Sequence, residues 1–249
     1  MSARWDLKHP LPVRITHWIN APTMAVMAWS GLMILWPYAP YRIGLGDWTL
    51  TTVLSDESLA WLGFGRRLKE GLSWHLAFAW LFVINGLVYV TYLLVSGEVR
   101  HLLPDRRSPY EAFLVMLHDL RLRRDLPPQG RYNAGQRIAY TSAILMGVGL
   151  ALSGLAIWKP TQLSFLTNLL GGYQWARWLH FWLMIGVAAF VTVHVAQVAK
   201  AGWNNFRAMI TGYERIAPAD HGSPAAAPAP VAKTPDAKTP ADPATETTP

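Results

Sequence analysis

Four histidines carry the chemistry open to this sequence. His17, His75, His180 and His194 are the only His, Asp, Glu, Lys or Arg residues within four long apolar stretches. An ionisable side chain at membrane depth is costly, and function is the usual reason for it. His180 and His194 lie fourteen residues apart on one stretch. Fourteen helical steps of about 100° leave about 40° of residual rotation, so both rings face one way, about 21 Å apart along the axis. One helix thus offers two imidazoles at two depths on one stripe. His17 opens the first stretch and His75 the second. Successive spans run in opposite directions, so His17 matches the depth of His194, and His75 that of His180. Two bis-imidazole sites follow, stacked across a bilayer.

Neutral imidazole is a common metal ligand, and helical bundles build such sites in their cores from facing helices. Zinc or copper needs more than two histidines per site when no Cys, Asp or Glu stands beside them. Haem brings four nitrogens of its own and takes only two from the protein. The chain has no cysteine, which excludes disulfides, Cys-ligated iron–sulfur clusters and covalently attached c-type haem. The expectation is two b-type haems, each iron held between two histidines. Closed axial positions of that kind suit electron transfer more than oxygen chemistry. The plain alternative is that the four histidines only bridge helices.

Arg14 and Arg177 each precede a candidate ligand by three residues, one helical turn, at a membrane boundary. Both are placed to pair with haem propionates, or equally to anchor the chain at the interface. Gly31 follows His17 by fourteen residues. It faces the same way at the level of the outer site, where a missing side chain leaves room for a porphyrin. His9, His101, His118 and His221 fall in loops or the tail and form no comparable pattern.

The elements that must position these residues are visible in the charge pattern. Residues 17–36, 74–95, 138–158 and 178–199 contain no Asp, Glu, Lys or Arg. At 20 to 22 residues each, and about 1.5 Å of rise per residue, each reaches across a hydrocarbon core of about 30 Å. Trp18, Trp36, Trp74, Trp158 and Trp178 stand near their ends, as interfacial aromatic belts do. Residues 1–16 are polar and basic, and the long apolar run after them reads as a first span rather than a signal-peptide core. With the N-terminus inside, the cytoplasmic segments carry 14 Lys and Arg and the opposite loops carry 6. The positive-inside rule then places both termini in the cytoplasm. This distribution accounts for the net charge of +7 without nucleic acid.

The expected fold is an all-α integral membrane four-helix bundle, multi-pass, with lipid as its solvent. It comprises an N-terminal segment 1–16, a membrane domain 17–216 and a disordered Pro/Ala-rich tail 217–249, which has almost nothing to bury. Residues 109–122 have the apolar spacing of an amphipathic helix on the inner membrane surface, and residues 48–64 are expected to form a similar segment outside. An internal echo links spans one and three. Ser30-Gly31-Leu32 is followed by Ile34 and Pro37, and Ser153-Gly154-Leu155 by Ile157 and Pro160. Such small residues let helices approach closely, or make room for a flat cofactor.

Residues 10–212 resemble the di-haem cytochrome b subunits of bacterial nickel–iron hydrogenases, formate dehydrogenases and thiosulfate-reductase-like molybdenum enzymes, a cytochrome b561-like group. The resemblance rests on Arg14-Ile-Thr-His17-Trp18, the Ser-Gly-Leu of span one, Trp74-His75, the His180 to His194 spacing, and Arg131-Tyr-Asn-Ala-Gly-Gln136-Arg137 before span three. It implies that His17 and His194 ligate a cytoplasmic-side haem and His75 and His180 an outer one. It further implies that Asn133 to Gly135, with Gln136 as neighbour, border a menaquinone or ubiquinone pocket. Without the resemblance, that stretch is a turn followed by a helix start. The long loop 37–73 and the tail depart from the shared pattern. Leu68-Lys-Glu-Gly-Leu-Ser-Trp-His75, Tyr89 and Ser96-Gly-Glu98 stand nearer the thiosulfate-reductase-like branch. Expectations follow for place and partner: a bacterial inner membrane, and an outer-face redox subunit that is a molybdopterin oxidoreductase or a hydrogenase.

The function so implied is electron transfer between the quinone pool and that partner, without substrate chemistry in this chain. Two rivals stand beside it. One is a free-standing cytochrome b acting on superoxide or quinone. The other is a haem-free anchor or transporter.

Overall fold

The computed structural model describes residues 4–35, 41–45, 48–53, 61, 67–119, 121–125 and 132–216. The elements run β1 (Arg4–Leu7), α1 (Leu11–Leu35), β2 (Tyr41–Leu45), β3 (Trp48–Val53), α2 (Leu68–Val95), α3 (Val99–Leu102), α4 (Ser108–Asp119), α5 (Ala134–Trp158), α6 (Ser164–Leu169), α7 (Tyr173–Ala201), α8 (Trp203–Thr211) and β4 (Tyr213–Ile216). Among the described residues, α1, α2, α5 and α7 are long and apolar enough to cross a membrane. Side chains such as Ile84, Leu87, Leu145 and Val193 stand more than half exposed on their outward faces. An apolar surface of that extent needs lipid, not water, around it. The chain is an all-α multi-pass membrane protein.

Each helix starts four to six residues before its uncharged stretch, because Arg14, Lys69, Glu70, Arg137 and Arg177 occupy the opening turns. Helical hydrogen bonding does not stop at the hydrocarbon edge, so the charge-free runs understate helix length. Pro22 lies inside α1; membrane helices tolerate the lost backbone bond. Thr16, Thr23, Ser30 and Ser153 return their hydroxyl protons to carbonyls one turn back, which removes the cost of burying them.

The helices pack as two pairs, α1 along α2 and α5 along α7, with α2 and α5 close over only a short stretch. Asn85 ties the first pair together, its Nδ2 donating to the Thr16 carbonyl and to Asn20 Oδ1 at 2.9 and 3.3 Å. Gly202, with φ of 82°, occupies the left-handed region that favours glycine and lets the chain turn from α7 into α8.

Two small sheets complete the described fold. β1 pairs antiparallel with β4, Arg4 opposite Ile216 and Leu7 opposite Tyr213, so the ends of the membrane domain are clasped. Lys8 Nζ reinforces the clasp, bonding Glu214 at 2.8 Å and Asn205 at 2.9 Å. No alternation in the sequence announced these short strands. β2 pairs with β3, which corrects the expectation of an amphipathic helix beginning at residue 48. Thr49, Thr51, Thr52 and Val53 are β-branched, and this composition favours a pleated strand over a helix. Among residues 54–64 only Trp61 is described. Of the amphipathic stretch 109–122, residues 109–119 lie in α4, which packs on α5. Trp36, Arg131 and the tail expected over 217–249 lie outside the described residues.

Candidate functional site

The structure brings the four histidines together in two pairs, each joining one helix of the first pair to α7. His17 from α1 faces His194 at 6.1 Å between ring centroids. His75 from α2 faces His180 at 6.2 Å. The first lies at the end of the bundle that carries β1 and β4, the second at the opposite end. We call them inner and outer, after the orientation that the basic residues predict.

Their spacing fits one metal between two rings. An imidazole–metal bond is about 2 Å and a ring nitrogen lies about 1.1 Å from its centroid, so two rings on opposite sides of one ion stand about 6.2 Å apart. Among the described residues no group of three or more His, Cys, Asp or Glu comes together. A pair of imidazoles is therefore what each position offers, and it fits a metal that carries its other ligands with it.

The outer pair is fixed in tautomer. Ser30 Oγ lies 3.0 Å from His75 Nδ1, and Ser153 Oγ lies 3.0 Å from His180 Nδ1. Each serine gives its only proton to a carbonyl, Met27 for Ser30 and Gly149 for Ser153. Each Oγ must therefore accept from a ring Nδ1–H. With the proton on Nδ1, Nε2 is left with its lone pair free, as metal ligation requires. Both serines are fully buried. Room beside the rings comes from the next residue. A Cβ on Gly31 would stand 3.5 Å from His75 Cε1, and one on Gly154 would stand 3.3 Å from His180 Cε1.

The inner pair has different neighbours. His17 meets Trp18 edge-on at 5.3 Å, and His194 stacks on Phe190 at 5.8 Å and 14°. His17 Nδ1 is buried without a hydrogen-bond partner, and so is Arg14 Nε. Arg14 Nη1 donates to the Thr211 carbonyl at 2.9 Å, which brings the guanidinium to the inner end. An orphaned buried guanidinium N–H beside a histidine pair is suited to an acidic group on a bound ligand.

These findings place the chain. Residues 8–212 match the family described as prokaryotic cytochrome b561. The chain belongs to that family. It is also similar to "Putative protein-methionine-sulfoxide reductase subunit YedZ1" of Azospira oryzae, at 35% identity over 214 residues, covering 82% of this chain and 96% of that protein. This cytochrome is thus a membrane electron-transfer protein of the haem b class.

The remaining sequence candidates fall elsewhere. Arg177 donates to Gln174 at 3.3 Å and lies 5.9 Å from the Tyr173 ring. Asn133 and Gln136 form a capping box at the start of α5. Asn133 Oδ1 accepts from the Gln136 amide at 2.8 Å, and Gln136 Oε1 accepts from the Asn133 amide at 3.1 Å. Gly135 sits between them, and a Cβ there would lie 3.3 Å from Asn133 Oδ1. Sequence reasoning missed the hydrogen bonds that join His75 to Ser30 and His180 to Ser153. Their signal was present in the Ser-Gly-Leu echo, which stands at the depth of those two histidines.

Proposed function

We propose that this chain relays electrons across a bacterial inner membrane, between a quinone and a partner oxidoreductase, with two b-type haems held by His17–His194 and His75–His180. The observation that carries the proposal is the pair of inter-ring spacings, one at each end of the bundle, each suited to a single six-coordinate iron. Bound haem iron accepts and returns one electron at a time. The protein's own part would be to supply an imidazole pair at each end, His17 with His194 and His75 with His180, and the bound group would supply the one-electron chemistry.

Arg14 and Arg177 are proposed to bind haem propionates at the inner and outer ends; for Arg14 the orphaned Nε supports it. Menaquinone or ubiquinone is proposed to bind at the inner end beside Asn133, Gly135 and Gln136. The relative named as a methionine-sulfoxide reductase subunit supports an oxidoreductase partner, a molybdopterin enzyme before a hydrogenase, docked on the outer face. That partner would carry the substrate chemistry.

A reduced-minus-oxidised visible spectrum of the purified protein, with haem quantified per chain, tests the core of this reading. A b-type band with two haems per chain is expected. Content of one or none removes the relay. Purification in mild detergent tests the partner: a redox subunit should co-elute, whereas quinone reduction by the chain alone would favour a free-standing cytochrome.

A further inference from the structure

The two helix pairs repeat one another more fully than the Ser-Gly-Leu echo shows. Arg14-Ile15-Thr16-His17 in α1 is matched 123 residues later by Arg137-Ile138-Ala139-Tyr140 in α5, and the same offset carries Ser30 onto Ser153. Between α2 and α7, an offset of 105 carries His75 onto His180. The hydrogen bonds obey the same mapping. Arg14 donates to the Thr211 carbonyl at the end of α8, the short helix after α7. Arg137 Nε donates to the Leu103 carbonyl at the end of α3, the short helix after α2. Trp18 Nε1 donates to Met209 O, and its counterpart Thr141 Oγ1 donates to Leu102 O. Each half reaches across to the other in the same way, as an approximate twofold relation requires.

The outer histidine pair respects that relation, since it takes one ring from each half and each ring has its own serine. The inner pair does not. It takes His17 from the first helix of one half and His194 from the second helix of the other. The mapping therefore demands a second inner position, built from the second helix of the first half and the first helix of the second. An offset of 123 carries His17 onto Tyr140, and an offset of 105 carries Tyr89 onto His194. That relation puts Tyr89 of α2 and Tyr140 of α5 at the inner end, on two helices that touch over a short stretch, and the Tyr132 ring meets Tyr140 edge-on at 5.8 Å. All of these side chains are half-buried.

The bundle thus has two inner positions of the same build, one with imidazoles and one with phenols. A phenol keeps its proton at neutral pH, so it donates a hydrogen bond where a neutral imidazole nitrogen would ligate a metal. Two phenols on neighbouring helices, with a third ring beside Tyr140, match a flat ring that bears oxygen acceptors on opposite edges. Asn133 and Gln136 stand one to two turns away at the start of the same helix, with side-chain acceptors already committed to each other's amides. We propose that Tyr89 and Tyr140 hold the quinone head group, each donating to a ring oxygen. This rests on the quinone reading above and names the side chains that bind it.

The test uses the purified holoprotein in detergent, titrated calorimetrically with a short-chain naphthoquinone and a short-chain ubiquinone. Tyr89→Phe and Tyr140→Phe should each weaken binding by about threefold to tenfold, the loss of one hydrogen bond, and the double variant should weaken it further. Haem content and visible spectrum should stay at the wild-type level in all three, which also reports that the variants fold. Wild-type affinity in both single variants would overturn the assignment. If Asn133→Ala alone weakened binding in that case, the quinone reading would stand without the tyrosines. A wild-type protein that binds neither quinone would overturn both.

Discussion

His75 and His180 stand in matching surroundings, whereas His17 and His194 do not. Each outer ring has a buried serine on Nδ1 and a glycine beside Cε1, supplied by the neighbouring helix of its own half. On the inner side, one ring is edge-on to Trp18 with its Nδ1 unpartnered, and the other is stacked on Phe190. A site lying across the twofold relation can be supported equally from both halves. A site lying off it has a counterpart, and that counterpart is free to take another role. In this protein it carries tyrosines. The outer site is therefore fixed in tautomer by the two serines, and the inner site is the one with a different set of side chains at its matching position.

The largest expected effect separates the two pairs. His75→Ala or His180→Ala should lower haem from two to about one per chain and spare the inner site. His17→Ala or His194→Ala should do the reverse. Haem extraction with low-temperature spectra reads both, and retention of two haems in any of the four would break the pairing. Gly154→Leu comes next. The space beside His180 already leaves only 3.3 Å for a Cβ, so a larger side chain should displace that ring and remove the outer haem alone. Gly31→Ala, with 3.5 Å available, should be tolerated.

A smaller effect concerns the serines. An acceptor on Nδ1–H makes the imidazole a stronger base and favours the more positive state of the metal. Ser30→Ala or Ser153→Ala should therefore raise the outer midpoint potential and leave the inner one in place. One hydrogen bond of about 1 kcal/mol corresponds to about 40 mV for one electron. A redox titration followed optically measures it, and a shift of the inner potential alone would contradict the tautomer argument.

The smallest effect lies outside the membrane spans. Ser108 and then Arg137 hold the Asp105 carboxyl below the usual carboxylate range. A lowered value means this contact is complete above that range and is lost as pH falls through it. Asp105→Asn should speed hydrogen exchange around Leu103 and Ser108 at neutral pH, with haem content unchanged. Wild type should show the same loosening only in acid.

Much of this was legible in the sequence by itself. The four charge-free runs determined the spans, since desolvating a charge in lipid is costly enough to override local preference. The helical period placed His180 and His194 on one stripe, and span direction matched them with His17 and His75. The capping box of Asn133 and Gln136 is equally local, and its three-residue spacing is a known helix-start signal. These are local or additive properties of the chain. The proton on His75 and His180 Nδ1 and the clasp of β1 on β4 were decided by tertiary structure alone. Each depends on how one helix is rotated against another, or on residues far apart in the chain coming into contact, and no single segment encodes that. The offsets of 123 and 105 were present in the sequence throughout. They acquired physical meaning only when the hydrogen bonds of both halves proved to follow them.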